Sequence, residues 1–330
     1  MIAATIAAYE TFCRVCDMRN LKPLGFDHST IGCMASTVAA ARLMGLNEAQ
    51  STEAVNLAVA SNIALFQTRI GKLSMWKACA FANASRNAVF AAQLAKLGMT
   101  GPSPVFEGQG GYFHAVTREA YELAPFGGAG QPFRIKDCLI KRFPLGQYAQ
   151  SVAEATLMVR ERIADPGEIS EVLVETLGTA VKLMAGDPEK WRPANSETAD
   201  HSMPYAVAVA LMHGAVERRY FEEPYIHDAR LLELTGRVQC TAWDEADRRE
   251  WEAMPCRITV TTRSGQRHSV AIDYHRGHYR NPMSDAEIEA KFRSLAEEPL
   301  GRVRCDVLLD RLWHLEQVPD AGRLLDLTRI

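Results

Sequence analysis

Between Gly71 and Phe113 the chain reads GKLSMWKACAFANASRNAVFAAQLAKLGMTGPSPVFEGQGGYF, and this stretch narrows what the rest can fold into. Phe81, Ala84, Ala88, Ala91 and Ala95 recur at steps of three and four, which places them on one face of a helix. Side chains this small let neighbouring backbones approach closely. Ser74 stands where it can cap the first turn, Gly98 where it can end the helix, and Pro102 and Pro104 block its continuation. Lys77 falls in the first turn, where the helix dipole favours acids, so a cation there is against type. It reads either as a solvated surface lysine or as an anion-binding group. The loop Glu107-Gly108-Gln109-Gly110-Gly111 can bring backbone N–H groups up to an anion, but it also suits an ordinary turn.

With 330 residues there is room for about two domains and an ample core. A net charge of −3 makes no electrostatic case for nucleic acid, so an anionic ligand needs a local cationic pocket. No apolar run approaches the roughly 20 residues of a membrane span, and Met1-Ile2-Ala3-Ala4 does not open a secretory signal. Eight cysteines lie scattered. Cys13-Arg14-Val15-Cys16 is a CxxC with no second pair, and on a helix its two thiols would pack as small apolar groups. No ligand set for an iron–sulfur cluster is present in the pattern, so we expect no metal and no cofactor. Reduced thiols and a cytoplasmic or organelle-matrix location are the default expectation.

In chain order, residues 2–18 read as a helix without a cap or polar lead-in. Gly25-Phe26-Asp27-His28-Ser29-Thr30 leads into a helix over 31–44. There Asp27 can hold one ring nitrogen of His28 and leave the other for proton transfer, or Asp27 or Ser29 can simply cap the helix. Asn47 caps a helix to about Ala60. Arg69 and Lys72, in the loop that follows, are second-tier candidates for binding carboxylates. One more helix is expected after Phe113. The run Gly127–Pro132 is the best domain boundary, and Ile135–Lys141 then reads as a strand. Gln150–Ala164 is a helix, Ile169–Leu177 a strand of imperfect alternation, and 257–262 with 267–274 a hairpin around Ser264-Gly265. Lys141 and Arg142 read first as charges at a strand edge. Asp200 is the expected cap of a helix to about Val216, which would make Asp200 and His201 structural, while Tyr205 points from its first turn. Residues 285–330 are helical, with Phe292, Leu295, Leu308, Leu312 and Leu315 as core candidates.

LSMWKACAFANASR followed by GMTGPSPVFEGQGG, together with GFDHSTIG at 25–32 and ETADHSMPYAVAVAL at 197–211, resembles the MmgE/PrpD family, in the same order along the chain. That family includes 2-methylcitrate dehydratases, cis-aconitate decarboxylase and iminodisuccinate epimerase. The resemblance implies a mainly α protein with an α+β part: a discontinuous all-helical domain of residues 1–130 and 280–330, and a smaller, lid-like α+β domain of 131–279. It implies that the chain starts inside the family's first domain, without an upstream acid and His that relatives carry. It also implies a homodimer.

The resemblance matches His28, Lys77, Lys141 and Tyr205 to active-site positions, with Asp27, Arg69, Lys72, Gly110, Gly111, Asp200 and His201 as candidate substrate-binding residues. Gly146 stands where the decarboxylase branch carries a catalytic His. The chemistry implied is metal-independent elimination of water from a small tricarboxylate such as 2-methylcitrate, as in propionate metabolism. Lysines would clamp carboxylates and offset transition-state charge, His28 would move a proton, and Tyr205 would position substrate or donate a proton. Such a pocket is expected where the two domains meet. An epimerase or decarboxylase of the same family, or a catalytically incomplete fragment that retains binding, are the alternatives.

Overall fold

The structure, a computed structural model, describes residues 1–250 and 252–330. The N-terminal part folds as α1 (Ile2–Met18), α2 (Ser29–Leu43), α3 (Glu48–Ser61) and α4 (Trp76–Lys96). The alanine face of α4 does what its spacing predicts. Ala84, Ala88, Ala91 and Ala95 are buried, and they interlock with Cys33 and Ala40 of α2 and with Ala54 and Ala58 of α3. Phe81, on the same face, is more exposed. Its ring covers Gly32, where an added Cβ would lie 2.4 Å from Phe81 Cε2. Helix α3 opens with a reciprocal cap: Asn47 Oδ1 accepts from Gln50 N at 2.9 Å while Gln50 Oε1 accepts from Asn47 N at 3.2 Å.

Three expectations for this region are corrected. Ser74 does not cap α4. The residue before the helix is Met75, already helical at φ −55°, ψ −25°, and no side chain caps that end. After Phe113 there is no full helix but a single five-residue turn, Phe113–Thr117, ended by Arg118 at φ +58°. Ile135–Lys141 is not a strand. Arg134–Asp137 forms a 3-10 turn because its backbone has a different partner, Glu10 of α1, whose carboxylate accepts from Gly127 N at 2.8 Å and Arg134 N at 2.7 Å.

Beyond Cys138 follow α5 (Gln150–Arg160), β1 (Ile169–Thr176), α6 (Gly178–Ala185), the one-turn α7 (Ser196–Ala199), α8 (Met203–His213), α9 (Ala229–Thr235), β2 (Val238–Ala242), α10 (Asp244–Asp247), β3 (Cys256–Thr262) and β4 (Arg267–Ile272). The sheet order is β2-β1-β3-β4. β1 runs parallel to β2 (Val172 opposite Val238) and antiparallel to β3 (Val172 opposite Val260), and β3 pairs antiparallel with β4 (Cys256 opposite Ile272). The imperfect alternation of β1 has a cause, a register shift between Ile169 and Glu171. Met203–Leu211 of α8 are buried without a break, as expected of a helix apolar all round, and α8 packs with α5 and β1 in one core.

The C-terminal helices α11 (Asp285–Leu300) and α12 (Arg302–Trp313) pack on each other, joined by Arg293 Nη1 to Asp306 Oδ1 at 2.6 Å and Trp313 Nε1 to Glu289 Oε1 at 2.8 Å. Of their expected core residues Leu308 is buried, whereas Leu295 and Leu312 are exposed. The architecture is mainly α with an α+β part, in two compact units. The helical unit comprises 1–69, 75–138 and 285–330, and the α+β unit 70–74 and 139–284. The helical unit continues past the glycine run to Cys138 because Glu10 holds that segment on α1.

Candidate active site

In the helical unit the first chemical cluster forms around Asp27, which has no exposed surface. Its position follows from local pairing. Asp27 N donates to Ala64 O at 2.8 Å and Phe66 N to Gly25 O at 2.9 Å, so the loop after α3 runs alongside residues 25–27. That pairing delivers Arg69 to Asp27 as a two-point ion pair, Nε to Oδ1 and Nη2 to Oδ2, both at 3.1 Å. Ser29 Oγ donates to Oδ2 at 2.7 Å, and His28 Nδ1 lies 3.1 Å from Oδ1. Burial alone would raise the Asp27 carboxyl. Hydrogen bonds from His28, Arg69 and Ser29, with the nearby positive charge, outweigh it and hold the group well below the usual carboxylate range.

An ionised Asp27 accepts from His28 Nδ1–H, which leaves Nε2 as the ring nitrogen not engaged by the carboxylate. The His28 side chain is 41% exposed. Arg69, expected to bind substrate, has two of its nitrogens on Asp27. The His28 ring lies 6.3 Å from that of Phe81. Lys77 is half-buried, one turn before Phe81 in α4. Sequence spacing could not show that Arg69 and His28 share one carboxylate.

The glycine loop is a folded turn rather than an open cradle. Gly108 N donates to Pro104 O and Gly111 N to Gly108 O, so these N–H groups of the expected anion site are spent within the loop. Gly110 is exposed.

In the α+β unit, Lys72 and Lys141 are exposed. Asp200 and His201 are in contact through His201 Nδ1 and Asp200 Oδ1, with both side chains partly exposed. Asp200 does not cap α8, since it still has helical angles at the end of α7. Ser202, extended at φ −105°, ψ 116°, takes that place and accepts from Tyr205 N at 3.1 Å. Asp200 O accepts from Gly146 N at 2.9 Å, which brings residue 146 beside His201. A Cβ at Gly146 would meet Met184 Cε at 2.8 Å and His201 Cδ2 at 3.3 Å. Tyr205, expected to position substrate, lies in the core of the α+β unit. It is fully buried, and its hydroxyl donates to Tyr220 O at 2.8 Å.

Two groups here escaped the sequence reading. Lys190 is buried, and its ammonium is pushed down by burial against the opposing charges of Asp187 and Asp200. His275 is fully buried. Its Nδ1–H donates to Arg276 O at 3.0 Å, so its Nε2 accepts from Gln147 Nε2 at 3.0 Å and orients the residue next to Gly146. Neither lies in a recognisable motif. Among the described residues no group of three or more His, Cys, Asp or Glu is arranged to hold a metal ion, and no helix is long and apolar enough to cross a membrane.

A helical unit with a buried Asp–Arg pair orienting a partly exposed His, and an α+β unit built on a mixed sheet, define the chain as a two-part, mainly α protein of the kind its sequence motifs suggest. The chain belongs to the MmgE/PrpD family: the MmgE/PrpD N-terminal domain matches residues 1–123 and the MmgE/PrpD C-terminal domain residues 143–315. It is similar to the human cis-aconitate decarboxylase (24% identity, 91% of this chain, 62% of the relative). It is also similar to the 2-methylcitrate dehydratases of Cupriavidus necator (26%, 85% and 59%) and Escherichia coli K12 (26%, 99% and 70%). The chain spans about 60% of the length of the first of these relatives.

Proposed function

We propose that this chain carries lyase chemistry on a small tricarboxylate, as a metal-independent hydro-lyase of the 2-methylcitrate dehydratase type. The observation that carries the reading is the Asp27–His28 pair. Asp27, held ionised by its hydrogen bonds from His28, Arg69 and Ser29, orients a partly exposed His28 as the candidate base. In the elimination, His28 Nε2 takes the proton beside a substrate carboxylate, the electron pair forms the C=C bond, and hydroxide leaves with a proton from an acid. Lys77, on the same unit as His28, binds a carboxylate and offsets the charge that develops on it, and Lys141 is a second candidate clamp by the family resemblance alone. The relatives named 2-methylcitrate dehydratase support the substrate class. The decarboxylase reading is weakened at Gly146, where any side chain meets Met184. We also read the protein as cytoplasmic, on its pattern of scattered cysteines, and as a homodimer, on the family resemblance, and light scattering tests the second point.

The test is turnover of 2-methylcitrate by the purified chain, followed by the ultraviolet absorbance of the conjugated product, with His28→Ala and Lys77→Ala alongside. Turnover lost in both variants is the expected result. Stabilisation of the chain by 2-methylcitrate without turnover identifies instead a binding fragment of a longer enzyme. Absence of both turnover and stabilisation overturns the substrate class.

A further inference from the structure

Cys13 and Cys138 are 125 residues apart in the chain, yet their sulfur atoms lie 3.6 Å from each other. This proximity is built rather than incidental. One face of α1 carries Glu10, Cys13, Arg14 and Asp17, and each of the acids on it holds the segment that ends at Cys138. Glu10 accepts from the backbone N–H of Gly127 and Arg134, and Arg14 Nε donates to Glu10 at 2.8 Å to fix it. Asp17 Oδ2 accepts from Arg134 Nε at 3.0 Å, and Arg134 also reaches Asp137. The thiol pair sits between these two anchors. Both cysteines are half-exposed, whereas Cys33, Cys256 and Cys305 are buried and Cys79 is exposed. The third nearby thiol, Cys16, faces an apolar cluster, and burial pushes it up to about 12. The contact between the two thiols lowers Cys138 and raises Cys13, which makes Cys138 the readier thiolate.

We propose that Cys13 and Cys138 form an oxidisable dithiol which closes to a disulfide with hydrogen peroxide and fastens the segment 127–138 to α1. The Cys138 thiolate attacks one peroxide oxygen, the O–O bond breaks, and hydroxide leaves and takes up a proton. Cys138 is then a sulfenic acid. The Cys13 sulfur attacks the Cys138 sulfur, forms the S–S bond and expels hydroxide, which the Cys13 proton converts to water. In sum two thiols and one hydrogen peroxide give one disulfide and two waters, with two electrons passing from sulfur to oxygen. The sulfur atoms have to close from 3.6 Å to roughly 2.05 Å, a displacement within reach of side-chain rotation on two docked backbones. Holding them together makes the second step effectively unimolecular. The CxxC spacing that stands out in the sequence is therefore not the pair that reacts.

The experiment treats the reduced, full chain with dilute hydrogen peroxide and follows it by thiol counting, intact mass and peptide mapping without reductant. The expected result is loss of one pair among the eight thiols, with a cross-linked peptide joining Cys13 to Cys138, about tenfold or more faster than oxidation of Cys79. Cys16→Ser keeps the cross-link. Cys13→Ser loses it and accumulates a Cys138 sulfenic acid that dimedone traps, a signature that a merely packed cysteine does not give. Cross-linking of Cys13 to Cys16, a bond between two chains, or oxidation that starts at Cys79 overturns the proposal. Circular dichroism of each serine variant checks that it is folded, and the wild-type peptide map stands without any variant.

Discussion

The tripeptide Asp-His-Ser occurs twice, at 27–29 and at 200–202, each time before a helix, and the two copies do opposite things. In the first, the carboxylate is the hub. Asp27 is fully buried, pairs with Arg69, accepts from Ser29 Oγ and orients a partly exposed His28. In the second, the serine is the hub. Ser202 is fully buried, caps α8 and donates to the carbonyl of Lys190, while Asp200 and His201 pair at a partly exposed position. Three identical residues thus take their roles from what the rest of the fold brings to them. A guanidinium arrives at one copy, and an apolar helix start with a buried Lys190 at the other.

Breaking each carboxylate should separate the two most sharply. Asp27→Ala leaves Arg69 without its partner and is expected to cost about 3 kcal/mol of stability, with loss of turnover, whereas Asp200→Ala is expected to cost about 0–1 kcal/mol. Urea unfolding of both variants checks the difference. The histidines should separate in catalysis rather than stability. His28→Ala is expected to lower turnover by about 10²–10⁴-fold, the usual worth of a general base, and His201→Ala by less. Equal losses would remove the distinction between the two copies.

The sign of the pH response follows from the direction of the Asp27 shift. Its folded-state pKa is depressed, so its contribution to stability is fully present above the unfolded value of about 4 and is lost as pH falls through the folded value. Asp27→Asn should therefore flatten the fall of stability on the acid side of about pH 4, as measured by urea unfolding at stepped pH. The serines give smaller, inverted effects. Ser202→Ala should cost about 1 kcal/mol through the lost cap, measured as a shift of the unfolding midpoint. Ser29→Ala removes one of several donors to Asp27 and should act less on stability than on the acid side of the pH profile.

Much of the scaffold could be read in the chain. The Asn47 cap, the alanine face of α4, the hairpin around Ser264-Gly265 and the helix that carries Tyr205 all depend on residues close in sequence, and all four are found in the structure. The failures share one cause. Ser74, Asp200 and the segment 135–141 each had a plausible local assignment that a distant partner or the backbone angle of a neighbour overrode. Tyr205 looked available because it opens a helix, but the turn at Arg218–Phe221 supplies a carbonyl for its hydroxyl and encloses it.

Sequence by itself determined the helical packing surface, the strand alternation and the family motifs, because helix and strand periods repeat every few residues and need no distant information. Tertiary structure alone decided which aspartate is buried, which histidine it orients, and which cysteine meets Cys13. Those outcomes rest on pairs separated by 42 and 125 residues, Asp27 with Arg69 and Cys13 with Cys138. Electrostatic shifts and thiol contacts decay within a few ångströms, so only the folded backbone that joins such pairs can set them.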